Sequence, residues 1–207
     1  MEIRTKERIL QVALNLFSQY GYNASSMNDI AKELGITKTA LYRHYDSKQA
    51  LFDCIVKRME ELDQERIVQY QMPEGKYAQM ANDYKSMPLE KIIAYSEALF
   101  THWTEDDFSS KFRKVLELER YHSPQMHALY QKYLGQGPVD EMTELFAELL
   151  KMYHYESQDA KQVALAFYGP IFLLIHLYDG VTDKGNIYTL LREHIIRFSK
   201  QQGFHQN

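Results

Sequence analysis

A single cysteine, Cys54, stands in a chain of 207 residues. No intramolecular disulfide is available, and one unpaired thiol fits a reducing compartment. Glycine is sparse too, with nine in all, and no stretch has the spacing of a phosphate-cradling loop. No serine or cysteine sits in a recognisable nucleophile turn. His122 and His127 are separated by Pro124, which breaks the one-face geometry of a helical metal site. A catalytic role is therefore not expected, nor a metal or cofactor. The start, MEIRTKER, is charged and lacks the apolar core of a secretory signal. The longest uncharged run, Val163–Tyr178, is shorter than the ~20 residues that span a bilayer, and Gly169-Pro170 interrupts it. It reads as a core helix, which leaves a cytoplasmic protein with no membrane partner.

What is present is apolar and helical in its spacing. Hydrophobic residues make up 45% of the chain and aromatic ones 13%, enough for a sizeable core and two small helical domains. The formal net charge of −4 argues at first sight against a nucleic-acid ligand. Its distribution reverses that. Residues 1–50 hold seven Lys/Arg against five Asp/Glu, and the rest of the chain 17 against 23. A mildly basic head on an acidic body suits docking to a polyanion at one end only.

The head contains the most informative stretch, SSMNDIAKELGITKTALYRHYDSK, residues 25–48. Ser26 and Asp29 have the spacing of a capping box, and Ile30, Ala31 and Leu34 give the helix behind them one apolar face. Gly35 permits a sharp turn through positive φ, and Ile36 plugs the corner. Thr37 then caps a second helix with Leu41 and Tyr45 on one side. The opposite side carries Thr39, Ala40 and Arg43, flanked by Tyr42 and His44, with Lys38 at the start. It has no acid, two small residues that let it sink into a groove, and donors for bases or phosphates. This is the pattern of a helix-turn-helix whose second helix reads a major groove. Lys48 lies in the first turn of the next helix, where its charge opposes the helix dipole and favours an external anion.

Residues 8–52 resemble the N-terminal domain of the TetR/AcrR family of bacterial transcriptional regulators. The likeness rests on the apolar helix ending in Phe17 and Gly21, the Ser26–Asp29 cap, Gly35, and Leu41-Tyr42-x-His44-Tyr45-x-Ser47-Lys48. It implies that Thr37, Lys38, Thr39, Tyr42, His44 and Lys48 touch DNA, with the tyrosine, histidine and lysine mostly on phosphates. Ser26, Ala40 and Arg43 join them on the reading above. The resemblance also implies an effector pocket among three helices of the body, and a homodimer made by two late helices that form a four-helix bundle with a second copy.

The remaining helices follow apolar periodicity. A first helix spans about Arg4–Tyr20, and a long one runs from Lys48 to about Gln71, ended by Pro73 and Gly75. Lys76–Met87 reads as a loop with a helical turn. Further helices follow over Pro88–Glu105, Asp107–His122, Gln125–Leu134, Val139–His154, Gln158–Asp179 and Asn186–Gln202. The expected architecture is all-α, with a three-helix helix-turn-helix domain over 1–46 and a larger effector-binding and dimerisation domain over 47–207.

Aromatic and apolar residues of the body supply the effector candidates: Tyr95, Phe100, Trp103, Phe112 and Leu116, then Tyr121, Tyr130, Tyr168, Phe172 and His176. For the dimer seam the candidates are Val139, Met142, Phe146, Leu149 and Tyr153 on one helix, and Val163, Phe167, Ile171, Leu174 and Tyr178 on the next. The expected function is a homodimeric repressor that binds a palindromic operator in double-stranded DNA and is released by a small lipophilic effector of unknown identity. An effector-independent regulator, whose body only dimerises or binds a protein partner, stays open at this point.

Overall fold

The computed structural model describes residues 2–155 and 157–204, with side chains from Thr5 onward. These residues form helices α1 (Glu2–Tyr20), α2 (Met27–Leu34), α3 (Lys38–Tyr42), α4 (Lys48–Gln69), α5 (Tyr77–Ser86) and α6 (Leu89–Thr104). They continue with α7 (Asp107–Glu119), α8 (Pro124–Tyr133), α9 (Gln136–Met152), α10 (Ala160–Tyr178) and α11 (Lys184–Gln202). No strand occurs among the described residues, and the fold is all-α. Two elements beyond the head differ from expectation. Lys76–Met87, read as a loop, is mostly helix α5, which buries Ala81 completely. Helix α9 takes Gly137 and Pro138 into its first turn, where a proline's missing N–H leaves no hydrogen bond unmade.

The chain divides into two compact units. The first contains residues up to Gln69 together with Asp106–Tyr130, and the second contains Tyr70–Glu105 and everything from Gln131. The reason lies in α1. Its buried side chains Ile9, Ala13, Leu14 and Phe17 form a face too broad for two short helices to cover. Helix α4 supplies Leu51, Phe52 and Ile55, and α7 supplies Phe112, Val115 and Leu116, all fully buried. Burying each large side chain stabilises by about 1.5–3 kcal/mol. The rings interlock: Phe17 meets Phe52 edge-on at 6.2 Å, and Phe112 stacks on Phe52 at 6.4 Å. Phe112 and Leu116, both expected near an effector, are thus core of the first unit.

The second unit has two apolar clusters that share α10. Phe146, Leu149 and Leu150 of α9 pack with Val163, Ala164, Phe198, Phe204 and Ala81. Leu174, Ile175 and Tyr178 pack with Ile93, Phe100, Ile187, Leu191 and Ile195. These clusters take up many of the residues expected at a dimer seam. Val139, Phe146, Leu149, Val163, Leu174 and Tyr178 are buried within the chain itself. Met142, Tyr153 and Phe167 are partly buried against the first cluster, and Ile171 against the second. The apolar surface left outward on α10 is a stripe of Leu165, Leu173 and Leu177, exposed by 43%, 56% and 46%. Exposed Gly169 lies on the same stripe. By length and composition α10 would also pass for a membrane span. Pro170 lies within it, and its inner side belongs to both clusters.

Candidate nucleic-acid interface

Helix α2 starts with both halves of a capping box in place. The Ser26 hydroxyl oxygen accepts from the Asp29 N–H at 3.2 Å, and the Asp29 carboxylate accepts from the Ser26 N–H at 2.9 Å. The Ser26 hydroxyl also donates to that carboxylate at 2.6 Å. These bonds, the hydroxyl's first, hold the Asp29 carboxyl below the usual carboxylate range. Ser26 itself stays exposed. At the far end Gly35 adopts φ 68°, and its N–H closes onto the carbonyls of Ala31 and Lys32. A left-handed residue is needed there to turn the chain toward α3.

Helix α3 is shorter than its sequence pattern suggests. Thr37 caps it by accepting the Ala40 N–H at 3.2 Å, but regular helix ends at Tyr42. Arg43 and His44 continue as a tighter turn, their N–H groups reaching back three residues to Ala40 and Leu41. The two sides of the segment remain distinct. Leu41 is fully buried and Tyr45 nearly so. Burial, followed by the neighbouring Cys54 and Glu7, pushes the Tyr45 hydroxyl up to about 12. Thr37, Lys38, Thr39, Tyr42 and Arg43 are exposed, while Ala40 and His44 are half-buried. The Lys38 ammonium lies 5.7 Å from the centre of the Tyr42 ring. No carboxylate interrupts Thr37–His44. The surface is narrow, donor-rich and bare of acid.

Lys48 behaves differently from the sequence reading. Its ammonium turns inward, donating to the Tyr22 carbonyl at 2.7 Å and the Ser25 carbonyl at 2.8 Å, and lies 4.3 Å from the Tyr22 ring centre. Partial burial lowers its pKa, opposed by the carboxylate of Glu119. Two carbonyl oxygens satisfy the cation without any external anion. Ser47 caps α4 beside it, accepting the Ala50 N–H at 3.0 Å.

Residues 9–55 match the family model described as bacterial regulatory proteins, tetR family. Over this segment, under a quarter of the chain, the sequence is similar to TetR-family regulators. It is similar to the negative transcriptional regulator IcaR of the biofilm operon icaADBC in Staphylococcus aureus, 42% identical over 52 residues. That match covers 25% of this chain and 28% of IcaR, so the chain spans little more than a quarter of that relative's length. Similarity to the transcriptional regulator AcrR of Shigella flexneri is 42% over 97 residues, 47% of this chain and 42% of AcrR. In structure, the fatty acid degradation regulator FadR of Bacillus halodurans superposes with a TM-score of 0.63 at 16% identity, covering 98% of this chain and 96% of that one. That last likeness establishes a shared fold. The matched residues of the family model, 9–55, run from α1 into the first turns of α4.

The effector candidates do not form one set. Tyr121 and Tyr130 belong to the first unit, where the Arg120 guanidinium lies 4.6 Å and 4.4 Å from their ring centres. Phe100 is core of the second unit, edge-on to Tyr178 and Tyr188. Tyr95 packs on Tyr70 at 5.9 Å, and Trp103 on His102 and Tyr133. The Tyr168 hydroxyl donates to the Leu134 carbonyl at 2.8 Å, and Phe172 packs on His176 at 4.1 Å between ring centres. Cys54, the lone thiol, is exposed on α4.

One residue with a direct hold on the head escaped the sequence reading. Glu119, at the end of α7, is 3% exposed. Its carboxylate accepts from the Asn23 side-chain amide at 2.8 Å and, weakly, from the Asn23 N–H at 3.4 Å. No periodic or motif signal links positions 96 apart in the chain.

Proposed function

We propose that this protein is a homodimeric transcriptional repressor that reads a partly palindromic operator through Thr37–His44. The carrying observation is the two-sided character of that segment. Leu41 and Tyr45 are buried, while Thr39 and Arg43 stand exposed on an acid-free surface. A solvated helix with no partner ordinarily carries Glu, Lys and Gln there. The name of IcaR, a negative regulator, supports repression over activation. The exposed leucine stripe of α10 supports a second copy of the chain as the natural cover for that face. In such a dimer two α3 helices would stand about one DNA turn apart, roughly 34–36 Å. A small lipophilic effector held by the second unit would favour a dimer in which that separation no longer fits successive grooves. A preference of about 1–3 kcal/mol for one of the two states is enough. Five of the ten candidates, Tyr95, Trp103, Tyr168, Phe172 and His176, remain for that effector. A regulator of this kind acts in the cytoplasm and needs no catalysis.

The decisive experiment is operator binding by the purified protein across a salt series. Specific binding should weaken steeply with salt; equal affinity for all sequences would remove the operator-reading assignment. Arg43→Ala should cost about 1–3 kcal/mol at one base position if its guanidinium reads a base edge. Competition against single-base operator variants measures this, and uniform loss across all variants would make Arg43 a phosphate contact instead. Lys48→Met should weaken operator and random DNA alike while leaving the salt slope unchanged, because its ammonium is engaged by carbonyls. A slope smaller by about one would mean that it leaves them for a phosphate.

A further inference from the structure

We infer that Glu119 is a positioning residue for DNA binding: from α7 it fixes the turn between α1 and α2 that carries the reader segment. The turn, residues 21–25, is gripped from two sides. Helix α4 holds it through the two Lys48 bonds to the carbonyls of Tyr22 and Ser25, and through the Gln49 side-chain oxygen, which accepts from the Tyr22 hydroxyl at 3.0 Å. Helix α7 holds it through the Glu119 carboxylate on Asn23. Gly21 is shaped for this grip. It sits at φ +90°, and a Cβ there would lie 2.7 Å from the Glu119 carboxylate oxygen. The backbone therefore passes against the acid where any other residue would push it away.

A buried carboxylate needs compensation, since desolvating an ion costs several kcal/mol unless charge and hydrogen bonds are supplied. Here the Asn23 amide and the nearby Lys48 ammonium supply them. The His122 ring nitrogen lies 3.6 Å away on the same helix end and adds to them when protonated. The carboxylate is thus held in one place, and it holds Asn23 in turn. Ser26, three residues on, begins α2, and α2 carries α3 through the Gly35 turn. A displacement at Asn23 is passed along this short rigid path to the reader segment. The role presupposes the DNA-binding reading given above.

The test is a set of full-length variants assayed on an operator selected from random DNA. Glu119→Ala should weaken operator binding about ten-fold, the size of a lost charge-assisted hydrogen bond, with an unchanged salt slope because no phosphate contact is removed. Asn23→Asp should be at least as damaging, since it sets two carboxylates against each other. Combining Asn23→Asp with Glu119→Gln exchanges donor and acceptor and should restore binding to within about three-fold of wild type. A general loss of stability would not be repaired by that exchange. Should Glu119→Ala fail to fold, Asn23→Ala removes the same bond from an exposed residue and should show the same loss. Wild-type affinity in folded Glu119→Ala or Asn23→Ala, or no restoration in the exchanged pair, would overturn the inference alone. A wild-type protein that binds no DNA would overturn it together with the operator reading.

Discussion

Leu173→Glu should convert the protein to single chains and weaken operator binding by more than about 100-fold. The side chain is 56% exposed in the middle of the α10 stripe, between Leu165 and Leu177, so its replacement leaves the chain's own core untouched. In a twofold dimer the same residue comes from both copies. The substitution would therefore bring two carboxylates into an apolar seam, where each loses its water without gaining a partner. Operator affinity follows because a single chain engages one half-site, and linking two binding modules typically contributes a factor of about 10²–10⁴. Sedimentation velocity reads the first effect and fluorescence anisotropy the second, with circular dichroism unchanged from wild type. A Leu173→Glu protein that remains dimeric at micromolar concentration would move the seam away from this stripe.

Phe112→Ala should destabilise the DNA-reading unit by about 3–5 kcal/mol, the usual cost of emptying a fully buried aromatic site. Phe112 is 0% exposed and stacks on Phe52, which in turn meets Phe17 and Tyr22. The loss is a large share of the 5–15 kcal/mol that holds a domain folded. It should appear as a lower denaturation midpoint and as faster amide exchange in 9–17 and 51–59. Exchange localises the effect, so it distinguishes a residue of this unit from one that serves the second. Unchanged protection in α1 and α4 would return α7 to the second unit.

These two sites also mark how far the sequence could be read. The caps and the turn that frame the reader segment are legible, though not the early end of α3 at Tyr42, because Ser26, Asp29, Gly35 and Thr37 act on backbone groups within three or four residues of themselves. Local chemistry of that kind leaves a local pattern. Helix α5 was harder. Tyr77, Ala81 and Tyr84 have helical spacing, but Asn82, Asp83, Lys85 and Ser86 crowd them and no side chain caps the start. On α10 the difficulty was the reverse. The helix is apolar on nearly every side, so periodicity could not separate the side that packs on α9 and α11 from the side left outward. The residues expected at the seam accordingly include ones the structure turns inward, such as Val163 and Leu174. Glu119 was invisible for another reason. A carboxylate near the end of a charged helix reads as a solvated surface residue, and its burial depends on a contact 96 positions away. The same holds for Phe112, whose helical spacing was plain but whose partner helices were not.

The central claim is that Thr37–His44, presented twice across a twofold axis, enters successive major grooves. Selecting bound sequences from a random DNA pool, with wild-type protein and with Arg43→Ala in parallel, tests it most directly. The account predicts two inverted half-sites whose centres lie about one helical turn, ~34–36 Å, apart, with Arg43→Ala relaxing one position symmetrically in both. Recovery of a single unpaired site, or of no consensus at all, would contradict it.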